Sequence, residues 1–123
     1  MTAGQILIDR NRLGDLSENW VRLLASWKGC EVFSNIGCTG STDIVLKHPQ
    51  LGTIEVDVKT STWDESRGLW NPANTGTVKL PVFPVIVEPD GDVANWRVRW
   101  VRNRAPQGWE NFWTNDQRYY RTK

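Results

Sequence analysis

Residues 53–60 alternate without a break: Ile54, Val56 and Val58 are apolar, and Glu55, Asp57 and Lys59 are charged. Successive side chains of a β-strand point to opposite faces, so the pattern fits a half-buried strand and not a helix. It commits the chain to a sheet with one apolar and one charged face. It also sets two acids and a lysine in a row on the charged face.

Upstream, Leu16, Trp20, Leu23, Leu24 and Trp27 recur at i, i+4, i+7, i+8 and i+11, which predicts a helix over residues 15–28. Asp15 is its expected N-cap, with Glu18 three residues on, and Gly29 its expected terminator. Strands are expected over 31–36 and 43–47, separated by a glycine-rich loop from Gly37 to Gly40. The turn 48–52 leads into the alternating strand. Residues 61–77 carry loop signals (Gly68, Asn71-Pro72, Asn74, Gly76), and a connection of that length in a compact domain is often functional. Strand character returns over 78–87, where Pro81 and Pro84 suit an edge position. It returns again over 95–102, where Trp96, Val98 and Trp100 alternate with Arg97 and Arg99. A short helix is expected from Trp109, followed by a basic tail. The chain is α/β (α+β), read as one domain over residues 1–123 with a central mixed sheet; its length supports one core.

The formal net charge of +1 excludes a polycation. Arg97, Arg99, Arg102, Arg104, Arg118, Arg121 and Lys123 nevertheless gather in the last quarter, either as a phosphate-binding face or as ordinary solvated charge. No apolar run reaches the roughly 20 residues of a membrane-spanning helix. The N-terminal dozen residues lack the apolar stretch of a signal peptide, so a cytoplasmic protein is expected. Cys30 and Cys38, on the order of 25 Å apart if the strand between them is extended, are expected as separate thiols. With His48 they fall short of the four ligands of a structural zinc site. Eight tryptophans exceed what so short a chain ordinarily carries. Packing explains spacings such as Trp109 and Trp113, and the surplus suits a dimer interface or base stacking.

If the strands at 43–47 and 53–60 form a hairpin, Asp43 comes close to Asp57. Two carboxylates and the carbonyl of Val58 would then bracket a hard cation such as Mg²⁺, with Lys59 beside it to stabilise phosphate charge or orient water. The same residues also describe a solvent-facing strand of alternating charge. Glu18 is either part of that site or a capping acid. Arg67, Lys79, Arg97 and Arg99 are candidate DNA phosphate contacts, and Thr60 and Ser61 could donate hydrogen bonds to phosphate.

The segments Gly14-Asp15-Leu16-Ser17-Glu18, Ser41-Thr42-Asp43-Ile44-Val45 and Ile54-Glu55-Val56-Asp57-Val58-Lys59-Thr60 resemble the first helix and the two acidic motifs of the PD-(D/E)xK nuclease superfamily. The likeness is to small Holliday-junction resolvases and intron-encoded homing endonucleases, of the kind phages and mobile elements carry. It implies a restriction-endonuclease-like fold with an αβββαβ core and a sheet flanked by helices. It implies that Asp43 and Asp57 bind Mg²⁺ (Mn²⁺ substituting), that Lys59 assists catalysis and that Glu18 completes or adjusts the metal site. A homodimer acting on DNA follows from the same resemblance. Thr42 stands where the motif has proline, Asp57 where glutamate is usual, and no helix is evident after Lys59. The alternative is a non-catalytic nucleic-acid-binding or assembly protein that keeps the fold.

Overall fold

The computed structural model describes residues 9–36 and 42–113. It opens with helix α1 (Arg10–Trp27), followed by strands β1 (Glu31–Ser34), β2 (Ile44–His48), β3 (Gly52–Thr60), β4 (Trp63–Asp64), β5 (Leu69–Trp70), β6 (Val82–Glu88) and β7 (Arg97–Trp100). The N-cap of α1 is Asp9, whose carboxylate accepts from the Arg12 N–H at 2.8 Å. The helix therefore starts before the expected Asp15. Gly14 sits inside it at a cost of about 1 kcal/mol relative to alanine. At the other end Gly29 adopts φ 102°; its N–H bonds Ser26 O and the Cys30 N–H bonds Ala25 O, a Schellman closure.

The face of α1 that enters the core is Leu13, Ser17, Val21 and Ala25, with Trp20 and Leu24 at its margin. The bulkier stripe expected there faces solvent: Leu16 is 40%, Leu23 60% and Trp27 86% exposed. Small residues on the inner face let the helix lie close on the sheet, and close contact outweighs the larger apolar area of the other stripe. The correction matters for function. Glu18 lies about 100° round the helix from buried Ser17, on the side away from the exposed stripe.

The main sheet has the order β1-β2-β3-β6-β7, antiparallel throughout except for the parallel pair β3–β6. Ile44 pairs with Val56 and Leu46 with Ile54, so the apolar face expected from the alternation forms one floor with Val85, Val87, Val98 and Trp100. At the β2–β3 turn the His48 ring nitrogen Nδ1 accepts from the N–H groups of Gln50 and Leu51. That histidine is a turn cap, packed edge-on against Trp109 and Phe112. Cys30 is a free, buried thiol whose pKa burial pushes up to about 11; Cys38 and the loop 37–41 lie outside the described residues.

Three expectations fail in the second half. β6 is not an edge strand, because it lies between β3 and β7. Pro84 is tolerated there because β7 ends at Trp100, opposite Val85, so the position that lacks an N–H faces no ladder partner. Nor does a helix join β3 to β6 among the described residues, as αβββαβ requires. The connection carries instead a β4–β5 ribbon closed by an edge-on Trp63–Trp70 contact at 5.4 Å. After β7, among the described residues up to 113, the chain makes successive turns, Trp109 N–H to Pro106 O and Phe112 N–H to Trp109 O, where a helix is expected to begin. The tryptophans there are core clamps: Trp100 Nε1 donates to Trp109 O at 2.8 Å and Trp109 Nε1 to Leu51 O at 3.0 Å. Arg118, Arg121 and Lys123 lie outside the described residues. No helix among the described residues is long and apolar enough to cross a membrane.

Candidate active site

The site forms where β2 stops short of β3. The register that pairs Ile44 with Val56 carries Asp43 opposite Asp57. The Asp43 N–H donates to Val56 O at 3.0 Å, and its Oδ2 accepts from the Val58 N–H at 2.8 Å. Asp43 thus replaces the next rung of the ladder with its own side chain and is fixed in the plane of the sheet. Thr42 supports it: Thr42 Oγ1 donates to Glu55 Oε1 at 2.6 Å, and Asn35 Nδ2 donates to Thr42 O at 2.8 Å. Glu55 is therefore a brace for the segment that carries Asp43.

Asp57 is 7% exposed and lies within hydrogen-bonding reach of the Asp43 carboxylate. Lys59 Nζ lies 3.2 Å from Asp57 Oδ2 as a charge partner, yet that buried oxygen has no aligned hydrogen-bond donor. Burial first, and then the charge of Asp43, raise the Asp57 pKa to about 6, with Lys59 opposing. Glu18 is half-buried, bonded at 3.2 Å to Arg22, which also holds Asn19 and Ser34. Its pKa too is raised, by burial and then by Asp43. Asp43, Asp57, Lys59 and Glu18 thus share one electrostatic environment, with Glu18 reaching Asp43 as charge alone.

A hard cation fits the donors present. Asp57 Oδ2 is a buried oxygen whose cationic neighbour Lys59 is not aligned as a donor, and the repulsion between the two facing carboxylates is only partly offset by Lys59. Among the described residues no three His, Cys, Asp or Glu side chains group closely enough to hold an ion by themselves. Asp43, Asp57 and a main-chain oxygen such as that of Val58 are what the strand ends offer, with waters completing the shell.

No family model matches the chain, and no curated protein sequence matches it. The fold is nonetheless shared with a solved structure. It is similar to a bacterial homing endonuclease. That protein, I-Ssp6803I, superposes with a TM-score of 0.56 over 80% of this chain and 70% of its own, at 19% identity. The two share a fold: among the described residues this chain is a mixed α and β domain built on one α-helix and a five-stranded mixed sheet.

The expected DNA contacts lie apart from the carboxylates. Arg67 is held within the β4–β5 ribbon by Asp64 Oδ2 at 2.6 Å and Asn71 Oδ1 at 2.6 Å. Arg97 and Arg99 do project away from buried Trp96, Val98 and Trp100, on a strand about 10 Å from β3. Arg99 there pairs with buried Glu88 at 3.3 Å. Lys79 is exposed ahead of β6. Residues that sequence reasoning missed are Thr42 and Arg22, which position Asp43 and Glu18. Only the i, i+4 spacing of Glu18 and Arg22 could have signalled either.

Proposed function

We propose that this chain is a metal-dependent DNA endonuclease of the PD-(D/E)xK type. The observation that carries the reading is the Asp43–Asp57 pair, with the Lys59 ammonium 3.2 Å from a buried Asp57 oxygen that has no aligned donor. Asp43, Asp57 and the Val58 carbonyl would hold Mg²⁺, or Mn²⁺ in its place. Such an ion, when bound, acidifies water and neutralises charge on a phosphate. The protein's own groups set the geometry. Val58 N–H and Thr42 fix Asp43, so the carboxylate does not reorganise during turnover. Lys59 brings a fixed positive charge to the oxygen on which negative charge grows as the phosphodiester bond breaks. Glu18 feels the charge of Asp43, which together with burial raises its own pKa.

Branched DNA and a homing-type target are the two substrate classes for this reading. A homodimer would present one site to each DNA strand. The exposed stripe Leu16, Leu23 and Trp27, on the side of α1 away from Glu18, is the surface we assign to a second copy, and sedimentation of the purified chain tests it.

Incubation of supercoiled plasmid and of a four-way junction with the protein in Mg²⁺, Mn²⁺ or EDTA tests the activity. Cleavage with either metal and none in EDTA is expected. Binding without cleavage under every condition would favour the non-catalytic nucleic-acid-binding protein.

A further inference from the structure

An open cavity of about 280 Å³ lies between the start of α1 and the C-terminal end of β3, lined by Arg10, Leu13, Thr60, Thr62, Pro72, Ala73 and Asn74. One wall is the long connection whose length singles it out in the sequence. The lining holds one cation and no acid, unlike the neighbouring carboxylate site. Its polar groups are mostly donors. Thr62 Oγ1 accepts from Asn71 Nδ2 at 3.0 Å, which leaves the hydroxyl proton free to be given. Asn74 Oδ1 faces the Gly76 N–H at 3.4 Å, which leaves its amide nitrogen as the donor end. Arg10 adds a guanidinium suited to bidentate contact with phosphate oxygens. Leu13, Pro72 and Ala73 supply an apolar patch of the size a deoxyribose can cover.

The cavity is also placed next to the chemistry. Thr60 closes β3 three residues past Asp57, about 10 Å along the strand, with its side chain on the α1 face of the sheet, opposite the face of Asp57 and Lys59, and Leu13 lies about 7.5 Å along the helix axis before Glu18. The carboxylates repel a phosphate backbone, and Arg67 and Arg99 are each paired with a carboxylate. Arg10 puts a further cation in the lining where the strand would leave the site.

Resting on the nuclease reading, we propose that this cavity, at the C-terminal end of β3, is a subsite for the sugar-phosphate backbone of the cleaved strand beside the scissile bond. Arg10 takes the phosphate, Thr60 and Thr62 donate to it, and Asn74 closes over it.

The test pairs Arg10→Ala, at an exposed first-turn position that alanine suits, with DNA carrying single methylphosphonates walked along the cleaved strand. Binding is read in EDTA as a function of salt. In the parent, one methylphosphonate near the scissile bond should weaken binding about as much as Arg10→Ala weakens binding to unmodified DNA. Combining the two should add nothing, and the salt slope of Arg10→Ala should fall by about 0.9. Thr60→Val should weaken binding to the same unmodified DNA and lose sensitivity at the same phosphate. If the parent cuts DNA while Arg10→Ala keeps the parental slope, or if its loss multiplies with every methylphosphonate alike, the subsite is overturned and the nuclease stands. If the parent neither binds nor cuts DNA, both fall together.

Discussion

Asp57 and Asp64 are separated by a few residues of one chain and by opposite electrostatics. Asp64 sits at the head of the β4–β5 ribbon, where the Ser66 hydroxyl first, and then Arg67, hold its pKa down to about 2. Asp57 sits in the sheet, where burial and Asp43 push it up to about 6. Both have a cationic neighbour, so a salt bridge alone does not tell structure from chemistry. At Asp64 the Ser66 and Arg67 hydrogen bonds outweigh a smaller desolvation penalty and favour the anion, and the loop it closes is the product. At Asp57 a buried anion faces another anion, which is costly for folding and useful for holding a cation. The pair Arg99–Glu88 resembles Asp64–Arg67 in that an acid is answered by a base, although only Glu88 is buried.

The contrast can be broken at its strongest point by Lys59→Ala. On the proposed chemistry, this change lowers the cleavage rate on the order of a hundredfold, by the loss of one preorganised positive group at the reacting phosphate. Binding in EDTA should hold or fall, because a positive charge leaves the surface. Parental single-turnover rates would reduce Lys59 to a charge partner of Asp57.

Asp57→Asn sharpens the comparison through stability. The native pKa of Asp57 lies above its ordinary value of 3.8, so the native state holds the proton more tightly than the unfolded chain does. Stability from this group is full below about pH 4 and is lost as pH rises through about 6. Removing the charge should therefore stabilise the metal-free protein at pH 7–8 by on the order of 2 kcal/mol, part of the full shift being screened by solvent at the rim. The gain should vanish below pH 4. Thermal melts in EDTA across pH read this directly, and a destabilised Asp57→Asn at pH 8 would contradict it.

The satisfied pairs should behave the other way. Arg99→Ala strands buried Glu88 and should cost about 1–2 kcal/mol in urea melts. Arg67→Ala opens an exposed pair and should cost less than about 1 kcal/mol. Neither should change the salt slope of DNA binding if their charge is already answered within the fold. A slope that falls by about 0.9 in either variant would return that arginine to the DNA contacts expected from sequence.

The half of the molecule most legible in sequence is the hairpin. Alternation at residues 53–60 states which side chains share a face, and a turn at Pro49 to Gly52 forces Asp43 towards Asp57, so the strands and their contact follow from local rules. The helix was legible as a helix but not in its orientation. Hydrophobicity points to Leu16, Leu23 and Trp27, whereas the close approach of α1 to the sheet selects Ser17, Val21 and Ala25, and that is a tertiary property. The middle position of β6 was hidden for a similar reason. Pro84 argues for an edge until the place where β7 stops is known. The pairing of Arg67 and Arg99 depends on neighbours that periodicity does not reveal, as does the cavity at Arg10.

The central claim is that the carboxylate of Asp57 holds the cation that makes cleavage happen. The most direct measurement is the cleavage rate of Asp57→Asn in Mg²⁺, on a DNA that the parent cuts, with binding to the same DNA followed in EDTA. The account predicts a rate lower by about a hundredfold or more, while metal-free affinity holds or rises because a repelling charge is gone. An Asp57→Asn protein that cuts as fast as the parent would contradict it.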